Sequence, residues 1–199
     1  GYQALYNNTT GYNNVAVGYQ SGYANSTGSY NTNLGYNAGF YNQTGTNNTF
    51  VGYGSGPNTG SVTSVSNCTA VGSLALSKLT TGTPNEAFGY QALYSNTTGA
   101  YNVAVGSQSL YTNTTGIQNT AVGYASLNAN TVSNNTGIGN GALQSTVTGS
   151  DNTAVGSGAL FLNTAGYNTA VGRQALRNNT TGSPNDAFGY QALYSNTTG

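Results

Sequence analysis

A four-residue phrase that ends in glycine recurs about every 17 residues along this 199-residue chain. Its copies read Val-Ala-Val-Gly, Thr-Ala-Val-Gly or Glu-Ala-Phe-Gly, with four weaker versions. The intervals between these key glycines are 17 residues in seven cases, 16 in two and 20 in one. A repeat this short cannot hold a helical unit and suits one coil of a β-solenoid. The key glycines are Gly18, Gly35, Gly52, Gly72, Gly89, Gly106, Gly123, Gly139, Gly156, Gly172 and Gly189.

The period predicts an all-β fold, a parallel β-solenoid (β-roll) of about 12 coils of 16–17 residues. A single array is expected to span residues 1–199, with a 20-residue variant coil at 53–72. A longer repeat lies on top of the first, because residues 84–99 and 184–199 differ only at Glu86 and Asp186. Since solenoids need capping units to stay soluble, we expect the chain to be a segment of a longer fibre or a unit that polymerises end to end.

Composition narrows the classes of function. Lys and Arg number three, Asp and Glu number three, and His is absent. Nucleic-acid binding needs many cationic side chains, and no apolar run is long enough to span a membrane, so neither partner is expected. Glu86 and Asp186 lie six coils apart, about 29 Å at one strand spacing per coil, which is too far for shared acid–base chemistry. We therefore expect no enzyme activity, no catalytic residues, no cofactor and no metal site.

The columns of the repeat, counted from the key glycine as position 0, predict an interior. Position −1 holds Val or another apolar residue, and position +4 holds Leu in nine coils and Gly at Gly22, Gly39 and Gly56. We expect the −1 and +4 side chains to form two buried ladders, with an aromatic residue at +5 replacing a missing Leu. A second glycine at +10 is expected to adopt a positive φ at a corner.

Asparagine at +7 begins an Asn-Thr-Thr-Gly turn in many coils, and it often forms an Asn-x-Ser/Thr sequon. One interpretation is turn chemistry, with amides that bond from coil to coil. The other is a glycan-decorated fibril in which the sequons are exposed. The candidate glycosylation sites are Asn8, Asn25, Asn42, Asn96, Asn113, Asn179 and Asn196.

Tyrosine recurs at +1 and +5. These rows are expected either to stack along the rod or cover a subunit interface, or to form a carbohydrate-binding stripe. The candidate surface-binding or interface aromatics are Tyr19, Tyr36, Tyr53, Tyr90, Tyr124 and Tyr190.

Three less regular residues complete the pattern. Cys68, the only cysteine, is interpreted as a variant surface residue, with an interchain disulfide as the alternative. Arg173 and Arg177 are expected to form a local charge pair with the coil of Asp186.

The segment from Asn14 to Ser21, Asn-Val-Ala-Val-Gly-Tyr-Gln-Ser, resembles the head repeat of YadA-type trimeric autotransporter adhesins. Similar repeats occur in bacteriophage tail-fibre proteins. The resemblance extends over nearly every coil, although the family's coils are shorter and no neck or stalk is visible here. It implies a left-handed β-roll, packing as a homotrimer, and a role in attachment.

The expected function is a non-catalytic structural or adhesive fibre segment, located outside the cell or on a cell or virion surface. Its partners would be other copies, as a homotrimer or an end-to-end fibril, and a carbohydrate or cell-surface ligand. A glycan-coated fibril is the alternative. An ice-binding β-solenoid is a minor one, since Thr recurs at −3 and near the corner.

Overall fold

A computed structural model describes all residues 1–199 as an all-β solenoid without helices. Eleven strands of three or four residues form one parallel sheet in chain order, so the predicted β-solenoid is confirmed. The left hand implied by the resemblance stays a prediction. The strands are β1 Val15–Val17, β2 Thr32–Leu34, β3 Thr49–Val51, β4 Thr69–Val71, β5 Asn85–Phe88, β6 Asn102–Val105, β7 Thr120–Val122, β8 Thr136–Ile138, β9 Thr153–Val155, β10 Asn168–Val171 and β11 Asn185–Phe188.

Each strand pairs with the equivalent residues of the next coil. Thr120, Ala121 and Val122 of β7, for example, lie beside Thr136, Gly137 and Ile138 of β8. The sequence period is therefore the coil period, and each column of the repeat becomes a row of identical positions along the rod. Backbone bonds also join coils at the far corner, where the Leu93 amide donates to the Ser109 carbonyl at 3.0 Å.

The leucine column at +4 forms the predicted buried ladder. The small residues at −2 and +3 are buried with it, so each coil with Leu at +4 packs that Leu among small side chains. Alanine is small enough to let the two walls of a coil of this size approach each other. The fully buried leucines of this column are Leu76, Leu93, Leu110, Leu127, Leu143, Leu160 and Leu176.

The expectation that position −1 forms a second interior ladder is wrong. Val17 is 53% exposed, Phe188 is 69% exposed, and the buried neighbours are the alanines at −2. Successive strand residues face opposite sides of a sheet, so only one of the pairs −1/−3 and −2/−4 can point inward. The narrow coil accommodates Ala and Asn at −2 and −4, which turns the larger −1 side chains outward.

The coils with Gly at +4 are filled from position −2, which corrects the expectation that an aromatic at +5 replaces Leu. Phe50 takes the place of Ala and is fully buried; a Cβ added at Gly56 would lie 2.6 Å from its ring. Gly22 and Gly39 face Asn33 in the same way. Position +4 has a positive φ, from 48° at Leu176 to 72° at Gly56, whether it holds Leu or Gly. Glycine there is free of the strain that Leu accepts.

Asparagine at −4 builds a polar ladder inside the rod. The Asn102 side-chain amide donates to Asn85 Oδ1 at 3.1 Å and to the Gly116 carbonyl at 2.9 Å. Its own Oδ1 accepts the backbone N–H of Asn119 at 3.0 Å. Buried polar groups need such partners, and the exact stacking of the coils supplies them.

Glycine is required at position 0 and at position +10 for different physical reasons. The key glycine has a φ of 128° at Gly106, in the region that favours glycine, and similar values occur in the other strand-bearing coils. The +10 glycines lack a positive φ, so that expectation is wrong. A Cβ at Gly99 would instead collide with the Gly116 carbonyl of the next coil. Close stacking, rather than backbone conformation, requires glycine at +10.

The 20-residue coil keeps the sheet intact. Thr49 pairs with Thr69 across the insertion, and the three extra residues lie within the exposed stretch 59–62. Chain pairing resumes at a bridge between Asn42 and Thr63. The predicted loop bulge is therefore present, and it leaves the strand register unchanged.

Candidate interaction surface

The outward side of the eleven-stranded sheet forms one continuous surface, which we call the Thr-x-Val face. It consists of the side chains at −3 and −1. Thr occupies −3 in seven of eleven strands, at Thr32, Thr49, Thr69, Thr120, Thr136, Thr153 and Thr169. Every residue at −1 is apolar: Val17, Leu34, Val51, Val71, Phe88, Val105, Val122, Ile138, Val155, Val171 and Phe188.

The −1 row is exposed or half-buried along its whole length. Leu34, Phe88 and Ile138 are each about 40% exposed, at 44%, 39% and 39%. Ten strand spacings of about 4.8 Å make the row about 48 Å long. Single exposed apolar residues are ordinary, whereas contiguous apolar patches are typical of interaction sites. The only charges on the face are those of Glu86 and Asp186.

The tyrosine column at +1 borders this face, because the key glycine turns the chain directly after position −1. Tyr19, Tyr36 and Tyr53 lie together, with ring centroids 5.0 and 5.3 Å apart and interplanar angles of 10° and 14°. Tyr2 extends this stack at 5.4 Å from Tyr19. The stacking interpretation of these rows is therefore confirmed for this end of the rod.

The other three predicted tyrosines lack such a stack. Tyr90 and Tyr124 have Ser or Asn at +1 in both neighbouring coils. The Arg173 guanidinium lies over the Tyr190 ring at 5.8 Å. All three rings are more than half exposed.

Ring stacking changes what the +1 column can bind. A sugar that packs on an aromatic side chain uses the face of the ring, and in the Tyr2–Tyr53 stack each inner face is covered by the next ring. That stack presents ring edges and hydroxyl groups. Open ring faces for a carbohydrate are confined to isolated rings such as Tyr90 and Tyr124.

A second aromatic row lies at +5, near the other corner of the coil. Tyr6, Tyr23 and Phe40 stack at 5.5 and 4.9 Å, and Tyr94 stacks on Tyr111 at 5.3 Å with a 6° interplanar angle. The sequence placed tyrosines in this row, and the in-register coils bring their rings into contact.

The expectation that the +7 asparagines are exposed is wrong for the inner coils. The Asn96 side chain turns inward and donates to the Gly99 carbonyl at 2.8 Å, and Asn113 donates to Asn96 Oδ1 at 3.2 Å. These are the coil-to-coil amide bonds predicted as turn chemistry. A buried amide cannot carry a glycan in the folded coil. The buried candidates are Asn25, Asn42, Asn96, Asn113 and Asn179.

Asn8 and Asn196, in the terminal coils, are only half-buried. Glycosylation at these two stays a prediction. Five buried sites nevertheless remove the regular exposed array on which the glycan-coated alternative depended.

Cys68 also lies inside the rod, so its interpretation as a surface residue is wrong. It occupies the −4 position of the asparagine ladder and is 1% exposed. Burial raises the pKa of its thiol to about 11, because the thiolate loses its hydration. A thiol so enclosed is not placed to form an interchain disulfide in the folded rod.

The cationic side chains contact aromatic rings rather than carboxylates, which corrects the expected charge pair with Asp186. Arg177 lies over Phe161 at 4.7 Å, and Lys78 lies over Tyr94 at the same distance. Beside Lys78 lies a shallow cleft of about 390 Å³, whose lining residues include Asn58 and Ser77.

Two further findings bear on chemistry and location. No three His, Cys, Asp or Glu side chains lie together in the way a metal site requires. The chain also contains no helix with the length and apolarity needed to cross a membrane.

Comparison with protein-family models, with curated proteins and with solved structures found no match in any of the three.

Proposed function

We propose that this chain is a segment of a structural or adhesive extracellular fibre, in which copies of the rod associate side by side through the Thr-x-Val face. The observation that carries the proposal is the apolar −1 row, which is exposed or half-buried in all eleven strands. In water such a row favours association, because burying apolar area is favourable in rough proportion to the area removed from solvent.

The period of the face argues for a second copy as the partner. Each strand presents the same two side chains at steps of about 4.8 Å. A partner can make equivalent contacts with every strand only if it has the same repeat, and another copy of this chain has it by construction. The face carries almost no charge, so neither electrostatic steering nor a charged ligand explains it.

The size of the face is also compatible with stable association. The strand from position −3 to position −1 is about 7 Å wide, which gives about 320 Å² of projected area over the 48 Å row, and the bordering +1 column adds to it. Side chains standing out of this plane raise the accessible area further. A standard interface buries about 800 Å² per partner, so most of the face would be covered.

A three-rod assembly is the arrangement we favour, on the resemblance of the repeat to trimeric adhesin heads. Three parallel rods around a common axis would each turn the Thr-x-Val face inward and leave the corners outward. Attachment to a surface ligand would then use the outer corners or parts of a longer fibre. The scarcity of charged side chains makes such a rod insensitive to salt.

Light scattering on size-exclusion fractions tests the proposal. Val105→Asp combined with Ile138→Asp places two charges on the face, whereas Val147→Asp places one on an exposed corner residue as a control. The parent chain and the control should have a mass of at least twice the 20.2 kDa of one chain. The face variant should have the mass of one chain. A parent chain that stays monomeric at all concentrations would overturn the proposal.

Ice binding is a second candidate, and one observation favours it. The outward-facing Thr column is present in seven of eleven strands of one parallel sheet. Ice binding needs this face bare, while the fibre proposal needs it covered. Thermal hysteresis in a monomeric sample, abolished by Thr120→Asp, would favour ice over self-association.

A further inference from the structure

The stacked tyrosines have a chemistry that the fibre proposal does not use. We propose that they are sites of oxidative cross-linking, at which a one-electron oxidant joins neighbouring rings into dityrosine along the rod. The oxidant class is a haem peroxidase acting with hydrogen peroxide. The sites are the pairs that the coil period brings into contact, of which Tyr94 and Tyr111 are the most isolated example.

The composition directs an oxidant to tyrosine. The chain has no Met, Trp or His. Its one thiol, at Cys68, is 1% exposed, and reactive cysteines are accessible thiolates. Phenol rings are therefore the readily oxidised side chains that solvent reaches, and the chain has 17 tyrosines.

The register of the coils places the rings for coupling. Tyr19 and Tyr36 have ring centroids 5.0 Å apart, and Tyr94 and Tyr111 have centroids 5.3 Å apart with nearly parallel planes. The torsion about the Cβ–Cγ bond of Tyr has broad energy wells. Rotation of both rings about this bond turns the carbons ortho to the hydroxyl groups toward each other, which shortens the gap that coupling has to close.

The chemistry balances as follows. Each of two phenols loses one electron and one proton to become a phenoxyl radical. The radicals form one carbon–carbon bond between ortho positions, and the two ring hydrogens at those carbons move to the oxygens to restore both phenols. One hydrogen peroxide accepts the two electrons and two protons and becomes two water molecules. The protein loses two hydrogen atoms for each cross-link.

Each cross-link would fasten one coil to the next. Tyr94 and Tyr111 are 17 residues apart in sequence, one coil period. A covalent bond between them closes a loop of that length and limits the unfolded chain, as a disulfide does. In a stack of three or more tyrosines, such as Tyr2 to Tyr53, successive cross-links could join several coils to one another.

The three cationic residues make the test simple, because trypsin cleaves after Lys78, Arg173 and Arg177. Fragment 79–173 contains one stacked pair, Tyr94 and Tyr111, and four tyrosines without a stacked tyrosine partner. Fragment 178–199 contains Tyr190 and Tyr194, which do not stack on each other or on another tyrosine, and it serves as an internal control.

The folded chain is treated in dilute solution with horseradish-type peroxidase and hydrogen peroxide. Chains joined to each other are removed on a denaturing gel, and the remainder is unfolded and digested for mass spectrometry. Fragment 79–173 should lose two hydrogen atoms and show dityrosine fluorescence, while fragment 178–199 should be unchanged. The Tyr90→Phe variant should behave in the same way, because Tyr90 is not in a stack.

Tyr94→Phe is the decisive variant. It keeps the ring and the packing but removes the phenol, so fragment 79–173 should retain its full mass after oxidation. Loss of two hydrogens from this fragment in the Tyr94→Phe variant would overturn the proposal. A parent fragment 79–173 that keeps its mass under the same treatment would overturn it too. Neither outcome depends on whether the rods associate through the Thr-x-Val face.

Discussion

The asparagine ladder at −4 has one interruption, and repairing it should stabilise the rod. Ten of the eleven coils that carry a key glycine from Gly18 onward have Asn at this position, and Cys68 is the exception. The Cys68 Sγ lies 4.0 Å from the Gly82 carbonyl. In the equivalent place, Asn102 donates to the Gly116 carbonyl at 2.9 Å. The substitution Cys68→Asn would supply the missing amide.

The magnitude follows from the bonds that an intact step makes. By analogy with Asn102, the new side chain would donate to Asn48 Oδ1 and to the Gly82 carbonyl, and would accept the backbone N–H of Asn85. Three neutral hydrogen bonds contribute about 1 kcal/mol each, and burying the amide offsets part of this. We expect the free energy of unfolding to rise by about 1–3 kcal/mol.

The reverse substitution is the matched control. Asn102→Cys removes the same bonds from an intact step and should lower the free energy of unfolding by about 2–4 kcal/mol, since partners are left unpaired. Urea unfolding followed by circular dichroism gives both values. Amide exchange at Asn85 adds a local reading, and it should slow in Cys68→Asn. A Cys68→Asn chain no more stable than the parent, beside a destabilised Asn102→Cys chain, would refute the reasoning.

Three further predictions concern the core, the thiol and the face. Leu127→Ala empties a fully buried site and should lower the free energy of unfolding by about 2–5 kcal/mol. Leu193 in the last coil is 51% exposed, so Leu193→Ala should lower it much less. Equal losses in urea unfolding would contradict the buried +4 ladder. Because burial raises the pKa of Cys68 to about 11, little thiolate exists at neutral pH, so a thiol reagent should label the folded chain far more slowly than the unfolded chain; equal rates would place the thiol at the surface. Glu86→Thr removes a repulsive charge from the Thr-x-Val face and should shift association to lower protein concentration in sedimentation experiments; weaker association would argue against like faces meeting.

The sequence period was sufficient to predict the β-solenoid, because equal spacing brings equivalent residues of successive coils into contact. The side of the strand that faces inward was harder to predict. Hydrophobicity favours the Val17 side over the Ala16 side, but a coil of 16 or 17 residues has room for Ala and not for Val opposite Leu. A signal was present in the uniformity of the −4 column, which has Asn in ten of eleven coils, whereas Val occupies −1 in seven.

Compensating substitutions were a second indication of which side of the strand faces inward. Phe50 and Asn33 replace Ala at −2 in the region where Gly39 and Gly56 replace Leu at +4, as expected only if −2 and +4 share one interior space. The buried +7 asparagines could not be inferred from turn chemistry alone. Asn96 reaches inward because the carbonyl of Gly99 and the amide of Asn113 both lie on the inner side of the corner.

The tyrosine stacks could be predicted only in part from the sequence. The +1 spacing predicted that Tyr19 and Tyr36 share a row, and in-register coils bring their rings to 5.0 Å. Whether a ring faces a neighbour or solvent depends on the residue in the adjacent coil, which is Ser on both sides of Tyr90. The contacts of a solenoid surface residue are thus decided one period away in the sequence.

Spin labelling of the Thr-x-Val face tests the central claim most directly. A label on Val122→Cys, in a Cys68→Ser background, sits in the middle of the −1 row. In-register association brings equivalent labels of different copies together, so the electron paramagnetic resonance spectrum should broaden and should sharpen when labelled chains are mixed with excess unlabelled chains. A label on Val147→Cys, at an exposed corner, should give a sharp spectrum in both samples. A Val122 label whose spectrum is sharp and unaffected by dilution would contradict the account.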